Sequence, residues 1–162
     1  MQILTHPFPP VWDTQSQLLI LGTFPSVQSR AQAFYYAHPQ NRFWRVLSAL
    51  YQAPLPQTIE EKKRFLHDRH IALWDVLQRC AIRGSEDASI RQPIVNDLAP
   101  LLTQAPIQAI FTNGKKAFSL YERYCLPLIQ RPAVALPSTS PANAAYSLPM
   151  LIDQWHILLQ RP

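Results

Sequence analysis

Four short apolar runs, residues 18–21, 71–74, 109–112 and 133–136, do most to limit what this chain can fold into. Each is too short for a core helix and is bounded by polar or turn-forming residues, the pattern of a strand buried on both faces. Helical periodicity fills the intervals. Phe43, Trp44, Val46, Leu47, Leu50 and Tyr51 mark one apolar face, and Thr58 with Glu61 makes a capping box that opens the next helix. Asn96 is placed to cap a helix over 97–104, and a further helix over 115–124 follows the third run. Ser147 caps a last helix carrying Leu148, Leu151, Ile152, Trp155, Leu158 and Leu159. Strands alternating with helices predict an α/β fold in three layers, α/β/α, around a four-stranded, mainly parallel sheet. The 162 residues fit one domain over 1–162.

Composition narrows the class. Apolar residues at 48% and charged residues at 15% argue for a compact globule rather than disorder. No apolar run approaches the roughly 20 residues that span a bilayer, and the N-terminus shows no basic stretch followed by an apolar one, so no secretory signal is visible. A cytoplasmic protein without a membrane partner is expected, and a monomer. Cys80 and Cys125 lie far apart and read as buried thiols, too few for an iron–sulfur cluster. Among the five histidines only His67 and His70 approach ligand spacing, and no Walker loop, dinucleotide fingerprint or GxSxG elbow is present. Neither metal nor organic cofactor is expected. The net charge of +5 suits a polyanionic partner, because each neutralised phosphate releases counterions.

In a parallel sheet, ligands bind outside the carboxyl ends of the strands. Gly22-Thr23-Phe24-Pro25-Ser26 follows the first run, Asp75 the second, Asn113-Gly114-Lys115 the third and Pro137-Ser138-Thr139-Ser140-Pro141 the fourth. The stretch from Leu21 to Trp44 holds a loop of roughly eighteen residues with no periodicity of its own, which marks functional loops. It carries Phe34, Tyr35 and Tyr36, flat faces on which a base can stack or ordinary core packing. Asn41 is either the cap of the following helix or a carboxamide that orients water or holds a base. Asn113 either reads a base edge or serves a strand-to-helix turn with Gly114. Lys115 and Lys116 open a helix whose dipole they oppose, a misfit that a nearby phosphate would relieve. The hydroxyl-rich, proline-braced segment 136–143 suits phosphate contacts, though a surface turn would read similarly.

Together these motifs resemble the uracil-DNA glycosylase superfamily. The string Phe34-Tyr35-Tyr36-Ala37-His38-Pro39-Gln40-Asn41-Arg42-Phe43-Trp44 is similar to the HPxNRFW stretch of mismatch-specific uracil-DNA glycosylases, and PSTSPAN looks like the superfamily's phosphate-pinching second motif. One departure matters. Where the mismatch-specific branch has a GxNPG segment whose Asn positions water, this chain has Phe24, and a phenyl ring cannot orient water. The combination instead resembles the hypoxanthine-DNA glycosylase branch.

That resemblance implies a monofunctional glycosylase removing a deaminated base, hypoxanthine first, from double-stranded DNA by base flipping and water attack. Asn41 is the implied catalytic residue. Phe24, Tyr36 and Asn113 would contact the base, with Tyr36 stacking on it. His38, Lys115, Ser138, Thr139 and Ser140 would contact DNA, with Thr139 or nearby residues at the wedge. The alternatives are a uracil or mismatch-specific glycosylase, an inactive lesion-binding protein, and a hydrolase of free nucleotides.

Overall fold

The computed structural model describes residues 1–160. From the N-terminus the elements run β1 (Gln2–Thr5), β2 (Leu18–Gly22), α1 (Val27–Gln32), α2 (Phe43–Leu50), α3 (Ile59–Asp68), β3 (Ile71–Asp75), β4 (Leu77–Ile82), β5 (Arg91–Val95), α4 (Ala99–Gln104), β6 (Ala109–Asn113), α5 (Lys115–Leu120), α6 (Leu126–Ile129), β7 (Ala133–Leu136) and α7 (Leu148–Trp155). The four apolar runs form one sheet in the order β3-β2-β6-β7, with every pairing parallel.

Alternation along β2 shows how the layers form. Leu18 and Ile20 pack on one face with Phe43, Val46 and Leu47 of α2, Leu66 of α3, and Leu151 and Trp155 of α7. Leu19 and Leu21 pack on the other with Leu101 of α4, Ala117 and Leu120 of α5, and Leu77 and Cys80 of β4. All four β2 side chains are fully buried, each worth about 1.5–3 kcal/mol in transfer terms. A strand so enclosed needs no polar face. The three-layer α/β expectation therefore holds, and both cysteines are buried and free.

The structure departs from the sequence reading in four places. A second sheet, antiparallel in the order β1-β4-β5, was not expected. The loop after β2 contains a short helix, α1, because Ser26 caps it by accepting from Ser29 N–H at 3.1 Å. Asn96 does not cap α4: its Nδ2 donates to the Asp75 carbonyl at 2.8 Å, and Asp97 Oδ1 accepts from Ala99 N–H at 3.1 Å instead. The helix over 115–124 stops at Leu120 and widens into a π turn, Tyr121–Cys125. Both remaining cap assignments stand, Thr58 with Glu61 on α3 and Ser147 on α7.

Candidate active site at the carboxyl edge of the parallel sheet

The sheet order brings Gly22, Asp75 and Asn113 to one edge, where Gly22 pairs with Asp75 and Asn113 with Leu136. Two flanks form around them. On the first, the turn His38-Pro39-Gln40-Asn41 is closed by Asn41 N–H donating to the His38 carbonyl at 2.9 Å. His38 Nδ1 accepts from Gln40 N–H at 3.0 Å, which leaves Nε2 as the ring's donor.

Asn41 Oδ1 accepts from Phe43 N–H at 2.9 Å and from the Thr139 hydroxyl at 2.8 Å. A backbone N–H can only donate, so the amide orientation is fixed. The oxygen thus serves the α2 terminus while Nδ2 donates to nothing among the described residues. The helix-start reading of Asn41 thus holds through Oδ1, while Nδ2 stays available for the other role. With its acceptor occupied, this carboxamide can hold a water or a base only as a donor.

Thr139 joins the two asparagines. Its N–H donates to Asn113 Oδ1 at 3.0 Å, and its hydroxyl accepts from Asn113 Nδ2 at 2.9 Å while donating to Asn41. Thr139 is fully buried, so the expectation that it contacts DNA near the wedge is corrected: its polar atoms are occupied inside the protein. The second N–H of Asn113 neighbours the Tyr36 hydroxyl, with which a ligand would share it. Gly114 has φ 101°, and a Cβ there would stand 3.1 Å from Ser138 Cβ, so glycine lets the β6–α5 turn approach the Ser138 loop. The Asn-Gly turn and the site position coincide.

Arg42 was not singled out from sequence, yet it fixes this flank. Its guanidinium donates to the carbonyls of Ser140 at 2.8 Å, Asn143 at 3.1 Å, Thr139 at 3.4 Å, and Tyr146. Trp155 Nε1 donates to the Pro137 carbonyl at 2.9 Å. Ser138 Oγ and Ser140 Oγ accept from the N–H groups of Ser140 and Ala142, which leaves each O–H as a donor for a phosphate oxygen. Lys115 is exposed at the start of α5, on the same edge.

Tyr36 bridges the flanks. Its backbone sits in the left-handed region, φ 53°, at a cost of roughly 1–2 kcal/mol. Its ring stacks on Phe43 at 4.0 Å and 20°, so a base could use only the opposite face. The hydroxyl is buried and closes no well-formed hydrogen bond, with Asn113 and Asp75 as its polar neighbours. Burial first, and the Asp75 charge second, push its ionisation well above the usual phenol range.

The second flank is acidic. Asp75 is buried, and Oδ2 pairs with His6 Nε2 at 2.8 Å. His6 Nδ1 accepts from Phe8 N–H at 3.4 Å, so the Nε2 proton faces the carboxylate. Rings of Phe8, Phe24 and Tyr35 surround the imidazole at 4.6, 5.9 and 6.1 Å. Phe24, expected to touch the base, is buried against His6 and beneath the Arg30 guanidinium. Asp87 stands on an exposed turn, but its carboxyl is crowded by protein, with Thr23 and Lys116 nearby. Burial first and the Asp75 charge second push it up to about 6. Nothing in the local sequence points to His6, whose partner lies 69 positions away.

Residues 9–158 match the family model described as the uracil DNA glycosylase superfamily. The chain belongs to that superfamily. Among curated relatives, a hypoxanthine DNA glycosylase of Methanosarcina acetivorans is 36% identical over 145 residues, covering 86% of this chain and 89% of the relative. One of Methanosarcina barkeri is 37% identical over 113 residues, covering 68% and 71%. A solution NMR structure of a uracil DNA glycosylase candidate from M. acetivorans superposes with a TM-score of 0.80 at 31% identity, covering 98% and 99%. In this superfamily member the edge carries two carboxamides on one side and two carboxylates on the other. No group of His, Cys, Asp or Glu among the described residues is arranged to hold a metal, and no helix among them is long and apolar enough to cross a membrane.

Proposed function

We propose that this superfamily member is a monofunctional glycosylase that removes deaminated bases, hypoxanthine first, from double-stranded DNA. The observation that carries the reading is the hydrogen-bonded chain Asn41–Thr139–Asn113, which holds two carboxamides beside Tyr36 at a single sheet edge. The relatives named hypoxanthine DNA glycosylase support the choice of base.

The reaction forms a bond from water oxygen to C1′ and breaks the bond from C1′ to the base nitrogen, whose electron pair leaves with the base. A water proton ends on the departing base or in solvent. Positive charge builds on the sugar and negative charge on the base, so catalysis rests on placed donors and fixed charges. Asn41 Nδ2 supplies a donor that holds the water oxygen or the base as it gains charge. The base, flipped out at a cost of a few kcal/mol, stacks on the face of Tyr36 opposite Phe43. His38, Lys115, Ser138 and Ser140 supply donors for phosphates, which position the duplex.

The test is single-turnover excision on duplexes carrying deoxyinosine, uracil, a thymine mismatch or xanthine, with alkaline cleavage of the abasic product. Deoxyinosine is expected to react fastest. Asn41→Ala is expected to lower that rate about 100-fold in protein that still folds, with a lower Tm from the lost bonds to Phe43 N–H and the Thr139 hydroxyl. Release of uracil alone would transfer the assignment to a uracil-specific enzyme, and lesion binding without abasic product would leave a damage-binding protein.

A further inference from the structure

The catalytic reading leaves the His6–Asp75 pair without a task, although both side chains are nearly sealed from solvent. A buried carboxylate is costly unless its lone pairs are met. Oδ2 is met by His6, but Oδ1 accepts no hydrogen bond from the described residues. A Cβ on Gly22 would overlap that oxygen and stand 3.0 Å from the Tyr36 hydroxyl. Asp75 Oδ1 and the phenol end of Tyr36 therefore lie together at the end of β2, and Asn113 neighbours the same phenol. A base lying on the Tyr36 ring would direct one edge toward the groups that flank the phenol. Those groups are an acceptor, Asp75 Oδ1, and the remaining Asn113 Nδ2–H donor.

An acceptor beside a donor complements a ring N–H beside a C=O, which hypoxanthine presents at N1 and C6. Adenine presents the reverse, an acceptor at N1 and an amine at C6, and would set its N1 lone pair against a carboxylate. We propose that Asp75, oriented by His6, is the specificity-determining acceptor for the N–H/C=O edge of the extruded base. This deepens the glycosylase reading and rests on it. His6 is a positioning residue: its aromatic enclosure and its Nδ1 contact to Phe8 N–H allow one ring orientation. The edge chemistry also admits xanthine and uracil, so the pair separates keto bases from amino bases rather than one keto base from another.

The experiment couples a change in the protein to a change in the base. Duplexes carry either deoxyinosine or 1-deaza-deoxyinosine, in which C–H replaces N1–H without added bulk. Equilibrium binding and single-turnover excision are measured for wild type, Asp75→Asn, His6→Ala and His6→Gln. Wild type is expected to favour deoxyinosine about 100-fold. Asp75→Asn is expected to narrow that preference to within a few fold, His6→Ala to narrow it partly, and His6→Gln, which can still donate, to restore most of it. A melting temperature close to wild type in either His6 variant keeps the comparison valid should Asp75→Asn fold poorly. Equal preference in wild type, Asp75→Asn and His6→Ala overturns the proposal. Absence of excision from every wild-type reaction would sink the glycosylase reading instead, while the binding arm would still decide whether Asp75 reads the edge.

Discussion

The two flanks of the sheet edge differ in chemistry and in how they are held. The Asn41–Asn113 flank carries no carboxylate, and its order comes from a dense mesh: Thr139 between the amides, the Arg42 guanidinium across four carbonyls, Trp155 on Pro137. The Asp75–Asp87 flank is charged and sparsely bonded, with one imidazole brought from the N-terminus and one carboxyl on a surface turn. A mesh in which amides, hydroxyls and a single cation all meet carbonyls or amides can be rigid without charge repulsion. A pair of neighbouring carboxylates stores repulsion that the fold must tolerate, and repulsion is tolerated where function uses the charge. The first flank should therefore fail by losing structure, and the second should lose selectivity or gain stability.

Arg42→Ala is the sharpest way to break the first flank, because it removes the guanidinium from the carbonyls of Thr139, Ser140, Asn143 and Tyr146, of which the first three keep only a backbone N–H. A destabilisation of about 3 kcal/mol is expected, seen as a fall in Tm on the order of 10 °C. Lysine should recover little, since a single ammonium cannot reproduce the fork. Urea unfolding of the three proteins checks this. A loss under about 1 kcal/mol would show that the loop is held by Trp155 and its own serine turns.

Thr139→Val is the next largest change and targets the joint itself. Valine keeps the volume and the backbone N–H bond to Asn113 but leaves Asn113 Nδ2 and Asn41 Oδ1 each short of one partner. A loss of about 2 kcal/mol is expected, with deoxyinosine excision falling roughly tenfold as Asn41 loosens. Thr139→Ser should restore both. Normal excision by the valine variant would mean that Phe43 N–H alone fixes Asn41.

The same contrast explains what could be read in the chain beforehand. The parallel sheet was legible because its strands are apolar runs, buried throughout in β2 and apolar even in the edge strand β7, where Val134 and Ala135 are exposed. The residues ending them follow directly. Asn113 was legible as a position because it ends β6, and Asn41 because it stands just before the apolar helix α2. The antiparallel sheet was not. Two exposed residues, Gln78 and Arg79, interrupt β4, β5 contains Pro93, and only one residue of β1 is even partly buried, so no periodicity announces them. His6 follows β1 and reaches Asp75 only because β1 pairs with β4, a contact between distant segments with no local signature. Arg42 was hidden differently: an arginine beside a helix start reads as a solvated charge, and its acceptors lie about 100 positions away. Thr139 was misplaced because a hydroxyl in a surface-like loop carries no sign of its burial.

The smallest expected effect bears on the acidic flank. Asp87 ionises at about 6 in the folded protein, raised by burial and by Asp75, against a carboxylate near 3.9 in the unfolded chain. As pH rises through roughly 4 to 6, the unfolded chain gives up this proton before the folded one does. The folded state therefore binds more protons in that window and loses stability as pH increases. Asp87→Asn removes the charge and should raise stability at pH 7 by about 1 kcal/mol once screening at the surface turn is allowed for, a gain of a few degrees in Tm. At pH 4 the two proteins should melt together. Melting curves from pH 4 to 7.5 measure the difference. If the variant proved less stable than wild type at pH 7, Asp87 would instead be held favourably by Lys116 and Thr23, and the acidic flank would carry no stored repulsion.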